Sequence, residues 1–391
     1  MTARRWARVG GGVFVAGMVA LATAELLFRI TLASDIVPLR TTARLVTLLG
    51  NQYADDEIHR LGLQIRSRRG SLAFPAFDPM LGWTARPRTP ENPLGIIHDE
   101  PYTLEEARTW QAVLFFGDSF TAGRDAANTI PRQLEERLSG RKVLNFGVSA
   151  YGLDQMYLSL RSNVDHFDHP HVIVGIFYND IDRVLFEVHA SVKPWFEVRD
   201  GMLEEHGAPI PSDVTTWPSL FAPRTRLYSI RAIRGLLDRA FASPWMSERW
   251  FWLHPSETAG RRAEKQAIVR ALVHEIKAEC ARRNLGLSVV LFPYREHLVQ
   301  HGWYEPFMHE LLDQERIEYL DLAVPLRQRM QKRSIDWTAV YSVGAHPSAA
   351  ENASIAQEIA VFLRRRHGWE LSPAPPASGQ RTDSGRKVDR R

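Results

Sequence analysis

The sequence predicts a doubly wound α/β domain. Its parallel sheet has about five strands with helices on both faces, an insertion follows the third strand, and a membrane segment precedes the domain. Three observations predict this. Five short apolar runs alternate with helix-like stretches, the pattern of a sheet covered on both sides. A Pro- and Trp-rich stretch interrupts that rhythm. Basic residues precede one long apolar run near the N-terminus.

That first run comes first in order. Arg4, Arg5 and Arg8 precede Val9 to Phe28, which is apolar or small apart from Thr23 and Glu25. Residues 1–32 therefore read as a signal anchor or a signal peptide. Ala22-Thr23-Ala24 resembles a signal-peptidase site, whereas apolar character resumes at Leu26 and continues past Arg29 to Leu32, which favours an uncleaved anchor. Glu25 and Arg29 lie four apart, a helical pairing distance. Arginines stay in the cytoplasm. The expected location is thus a bacterial inner membrane, crossed once, with the body periplasmic or extracellular.

Residues 33–108 form an approach segment, with a helix expected from Val37 to Gly62 and loop or short strand from Pro75 to Pro93. Residues 109–368 carry the α/β pattern. Strands are predicted at Val113 to Phe116, Val143 to Phe146, Val172 to Phe177, Leu287 to Phe292 and Tyr319 to Leu322. Between them, helices are predicted at about Ala126 to Leu138, Leu153 to Val164, Ala263 to Arg283 and Trp303 to Arg316, and His346 is expected to open a last one. Right-handed crossovers put every strand's C-terminal end on one edge, where open α/β sheets bind ligands. Residues from about 185 to 255 break the pattern with repeated prolines and with Trp195, Trp217, Trp245, Trp250 and Trp252, and read as a lid or specificity wall. The tail, 369–391, is rich in Pro, Ser, Gly and charge and reads as disordered.

Composition excludes some functions. The net charge is +4, of which +3 lies before the first apolar run and +2 in the tail. The folded body therefore carries −1, so the basic balance of the whole chain does not argue for a nucleic-acid partner, and none is expected. A single cysteine, Cys280, rules out an intrachain disulfide and sits where a buried structural thiol is expected. His166, His169 and His171 mimic a metal cluster but precede a strand within a loop. They do not read as a metal site.

The chemistry concentrates at strand ends. Gly117-Asp118-Ser119 follows the first strand, where a serine presents its hydroxyl beside a helix N-terminus. Gly147 ends the second strand, Asn179 follows the third, and His346 stands before Pro347 and Ser348. Asp118 reads as structural, bonding turn N–H groups. Asp180 and Asp182 read as solvated, or as partners of Arg183.

In these stretches the chain resembles the SGNH (GDSL-like) hydrolase superfamily, as a membrane-anchored bacterial member. The matching runs are Phe116 to Gly123, Asn145 to Gly152, the Asn179-Asp180 pair and His346-Pro347-Ser348, with Asp78 to Trp83 resembling the lead-in of anchored members. The resemblance implies a flavodoxin-like sheet and an ester hydrolase, an O-acyl esterase or deacetylase of the cell envelope. It makes Ser119 the nucleophile and His346 the base. The N–H groups of Ser119 and Gly147 and the Asn179 amide would form the oxyanion hole. The implied substrate is an acylated glycan or a lipid ester, and no metal or organic cofactor is implied. The pattern departs where an aspartate is usual two or three residues before the histidine: Gly344 and Val343 stand there. Asp336 is the candidate orienting acid. The alternatives are an O-acyltransferase on an envelope polysaccharide and a binding or assembly protein that has lost turnover. Oligomeric state is left open.

Overall fold

The computed structural model describes residues 3–33, 76–123, 128–220, 229, 259–293, 298, 303–341 and 346–372. The expected helix at 37–62, most of the insertion beyond 220 with Trp245, Trp250 and Trp252, and the tail from 373 lie outside the described residues. Helix α1 spans Ala3–Ala33. Within it Glu25 pairs with Arg29 at 2.8 Å, as the spacing predicts. Glu25 also accepts from the N–H and hydroxyl of Ser229 at 2.9 and 3.0 Å. Val13, Phe14, Val15, Met18, Val19, Leu26, Leu27 and Ile30 are exposed. Among the described residues no helix is long and apolar enough to cross a membrane. The run that suggests one begins at Val9, and side chains before Gly11 lie outside the described set.

The α/β body follows the predicted order. Five strands, β1 (Ala112–Gly117), β2 (Lys142–Gly147), β3 (His171–Phe177), β6 (Gly286–Phe292) and β7 (Glu318–Asp321), form one parallel sheet. Strands β4 (Trp195–Arg199) and β5 (Met202–His206) form a separate antiparallel hairpin in the insertion. The sheet order is β7-β6-β3-β1-β2. The chain thus steps from β1 to β2, then crosses to the other side of β1, and this reversal opens a crevice between β1 and β3.

The strands form because their apolar runs lose water on both faces. Every residue of β1 and β3 is buried. Helices α4 (Leu153–Asn163), α6 (Ala259–Arg282) and α7 (Tyr304–Gln314) supply Met156, Leu160, Leu272, Ile276, Met308 and Leu312 to one core. On the opposite face α2 (Ser119–Ala122), α3 (Ile130–Glu135), α8 (Ala323–Arg333) and α9 (Ala349–His367) supply Phe120, Leu134, Leu326 and Ile359. Alternate strand residues feed the two cores: Leu114 and Phe116 face one, Val113 and Phe115 the other. Helix α5 (Tyr178–Arg183) follows β3 directly.

Two helix starts differ from expectation. Helix α3 begins at Ile130 rather than Ala126, because Thr129 caps it by accepting from the Arg132 N–H and Pro131 fits its first turn, as caps and early prolines dictate. Likewise α9 begins at Ala349, capped by Ser348. His346 is not part of it: it stands in extended chain three residues earlier.

In the insertion, Trp217 is buried with Val188, Val192 and Ile210 and donates to the Pro211 carbonyl at 2.7 Å. Trp195 stacks on His206 at 4.5 Å. Both rings serve packing.

Candidate active site

Ser119 is the first residue of α2, immediately beyond β1. Its N–H therefore has no intrahelical acceptor. Asp118 is the N-cap and accepts from the Phe120 N–H at 2.8 Å, the structural task expected of it. The turn is tight enough to require glycine on both sides. A Cβ on Gly117 would lie 2.0 Å from the Thr121 hydroxyl oxygen, and one on Gly147 would lie 2.3 Å from the Ala122 nitrogen. Gly117 pairs with Gly147 across the β1–β2 ladder.

His346 reaches the serine. Its Nε2 lies 2.9 Å from Ser119 Oγ, across 227 residues of sequence. The Phe120 ring lies 5.1 Å from the imidazole and stacks on Phe177 at 4.3 Å. Tyr341 meets Phe120 edge-on at 5.7 Å and donates to the Pro293 carbonyl at 2.6 Å. Behind the histidine, Asn352 of α9 donates to the Asn128 carbonyl at 2.8 Å, and Arg329 of α8 pairs with Glu351. An aromatic wall and these ties hold the histidine segment against the nucleophile turn.

The oxyanion donors are less uniform than expected. Asn179 is the second residue of α5, partly exposed, at the end of the strand beside β1. Among the described residues its side-chain amide makes no hydrogen bond, which leaves its N–H groups available. The Gly147 N–H is engaged: it donates to Asn145 Oδ1 at 2.9 Å. This corrects the expectation of an open Gly147 donor. The physical reason is the short side chain two residues back, which turns onto its own backbone.

Asp336 is also reassigned. It is exposed, and its carboxylate accepts from the N–H of Thr338 at 2.8 Å and from that residue's hydroxyl. It caps the one-turn helix Trp337–Val340 instead of reaching the imidazole.

Beneath the turn lies a buried ionic network, of which the sequence suggested only the pairing of Arg183 with a neighbouring aspartate. Arg183 Nη1 lies 3.2 Å from Asp118 Oδ2, 2.5 Å from Asp180 Oδ1 and 2.6 Å from the Tyr151 carbonyl. Burial, followed by the charge of Asp118, holds the Asp180 carboxyl well above the usual range. Lys193, fully buried, pairs with the fully buried Asp154 and donates to the Phe186 carbonyl at 3.0 Å. Asp182 pairs with Lys265 at 2.7 Å, not with Arg183, and accepts from the Tyr304 hydroxyl at 3.0 Å.

Elsewhere, His171 lies at the opposite sheet edge, 3.0 Å from the Ser288 hydroxyl, so the three-histidine cluster does not assemble around it. Burial pushes the Cys280 thiol up to about 12, the behaviour of an inert structural cysteine. Glu305, His309 and Asp321 bring one ligand atom each within 4.8 Å of one another. Those groups already serve each other: His309 bonds Asp321 at 2.8 Å, Asp321 accepts from the Ala323 N–H at 2.7 Å, and Arg327 holds Glu305 at 2.7 Å. They read as an ion-pair cluster.

No family model matches the chain, and no curated protein matches it. Among solved structures it is similar to a lipolytic protein of the G-D-S-L family from Desulfitobacterium hafniense DCB-2, at 13% identity and TM-score 0.35, over 65% of this chain and 99% of that one. It is also similar to two catalytic mutants of Axe2, an acetylxylan esterase from Geobacillus stearothermophilus. These are 17% and 15% identical at TM-score 0.35, over 65% and 66% of this chain and 92% and 94% of theirs. At this identity and score, the chemistry of the site rests on this chain's own geometry.

Proposed function

We propose that the protein is a serine-dependent ester hydrolase of the cell envelope, acting on an acylated glycan or a lipid ester. The observation that carries this reading is the 2.9 Å contact between His346 Nε2 and Ser119 Oγ. A hydroxyl at a helix start, in hydrogen-bond reach of an imidazole, is the arrangement that makes serine a nucleophile.

The steps follow from the atoms. Ser119 Oγ gives its proton to His346 Nε2 as it attacks the acyl carbon. Negative charge collects on the former carbonyl oxygen, where the Ser119 N–H and the Asn179 amide stabilise it. His346 then protonates the departing alkoxide. Water enters by the same route and releases the acid. Val343 and Gly344 stand where the aspartate is usual, and the aromatic wall of Phe120, Phe177 and Tyr341 fixes the segment that carries the imidazole. Catalysis of this type survives substitution of the usual aspartate in weakened form. The short Ser119–His346 contact favours turnover over the binding-protein alternative.

The envelope location rests on the sequence: arginines before an apolar run, continued as one helix to residue 33. The test is covalent labelling of the full chain by a fluorophosphonate probe. The wild type is expected to label and to release nitrophenol from nitrophenyl acetate, and Ser119→Ala to do neither. A folded wild type that fails to label would sink the hydrolytic reading.

A further inference from the structure

We propose that Arg183 is a positioning residue for the reaction at Ser119: its guanidinium occupies the Asp118 carboxylate and thereby leaves the serine hydroxyl to His346. The inference rests on the hydrolase reading and adds to it a residue that never touches substrate.

Ser119 Oγ has two acceptors within reach. His346 Nε2 lies at 2.9 Å and Asp118 Oδ2 at 3.3 Å. A proton donated to Asp118 is lost to the base. The competing oxygen is the one that Arg183 holds, at 3.2 Å from Nη1. A carboxylate oxygen already paired with a cation is a poorer acceptor for a neighbouring hydroxyl. The other Asp118 oxygen is fixed on the Phe120 N–H at 2.8 Å, so the side chain has no second orientation that satisfies both bonds.

The same nitrogen sets the oxyanion side. Arg183 Nη1 bonds Asp180 Oδ1 at 2.5 Å, and Asp180 Oδ2 accepts from the Phe177 N–H at 2.9 Å. Asn179 lies between Phe177 and Asp180 in sequence, so its backbone is clamped from both sides. A third bond, to the Tyr151 carbonyl at 2.6 Å, fixes the loop that leaves Gly147. One guanidinium therefore ties together the three chain segments that follow β1, β2 and β3. The Arg183 side chain is only 13% exposed, so water cannot easily replace it. A surface arginine would show none of this, and a purely structural one need not bind the acceptor that competes with the base.

The experiment compares wild type, Arg183→Met, Arg183→Lys and the double variant Asp118→Asn/Arg183→Met, all as full chains. Fluorophosphonate titration counts active sites, and nitrophenyl acetate gives kcat and KM. Arg183→Met should lower kcat per active site about 100-fold with KM within about twofold, the scale of a small misplacement at a nucleophile. Arg183→Lys should recover about tenfold of that, because a point charge still reaches Asp118. The double variant should be faster than Arg183→Met, since a neutral amide no longer competes while still capping Phe120. A merely structural role would instead reduce the number of titratable sites and leave kcat per site unchanged, and that result overturns the proposal. A double variant no faster than Arg183→Met overturns it too. Should Arg183→Met fail to fold, Arg183→Lys decides: kcat equal to wild type, or a change in KM alone, refutes it. A wild type that does not label overturns both readings, whereas a labelled wild type isolates this one.

Discussion

Acidification should unfold this protein through His171, at the sheet edge opposite the active site. The ring is 8% exposed at the start of β3, and its Nε2 lies 3.0 Å from the Ser288 hydroxyl. That hydroxyl is shared with His367 at 3.2 Å, and the His367 and Trp369 rings pack edge-on at 4.6 and 4.9 Å. Burial, then the neighbouring His367 and Arg141, push His171 down to about 3. The folded protein thus keeps it neutral while the unfolded chain binds a proton at about 6.5. Stability from this group is complete above about pH 6.5 and drains away as pH falls from there toward 3. The loss between pH 8 and pH 5 is about 2 kcal/mol, rising to about 4 kcal/mol at pH 3. Urea unfolding of the full chain, followed by tryptophan fluorescence at pH 8, 7, 6 and 5, measures it. His171→Gln can still meet Ser288 but does not titrate, so its stability should fall less by about 2 kcal/mol over that range. Parallel pH curves for the two proteins would refute the reasoning, whatever their absolute stabilities.

Two further predictions concern the site. Asn179→Ala should lower kcat about 10²- to 10³-fold with little change in KM, as expected for a donor used only by the transition state; a purely KM effect in steady-state kinetics would remove it from the oxyanion hole. Asp336→Asn should leave kcat within about twofold and thermal unfolding nearly unchanged, because asparagine caps a helix start as well as aspartate. A large fall in kcat would restore it as an orienting acid.

Much of this architecture could be read from residue order. Val113 to Phe116 and Val172 to Phe177 are too apolar for one-sided strands, and their burial on both faces follows. Ser119 and Asn179 were legible because strand ends carry their positions. What escaped was decided by side chains turning locally. Asn145 folds back on the Gly147 N–H, and Ser348 out-competes His346 as the helix start, because capping distances of two or three residues override the longer pattern. The Arg183–Asp118 and Lys193–Asp154 pairings escaped for another reason: charged residues are rarely buried unless paired, and these partners lie 65 and 39 positions apart.

The Lys193–Asp154 pair has a consequence for how this protein can be altered. The cation comes from the segment after β3 and the anion from α4, a core helix, and both are sealed from solvent. Removing one of such a couple costs roughly 3–5 kcal/mol, because the survivor is stranded. A shortened or transplanted insertion must therefore bring its own ammonium or be accompanied by neutralisation of Asp154. Descendants of this scaffold that diverge in the insertion can be expected to change the two positions in concert.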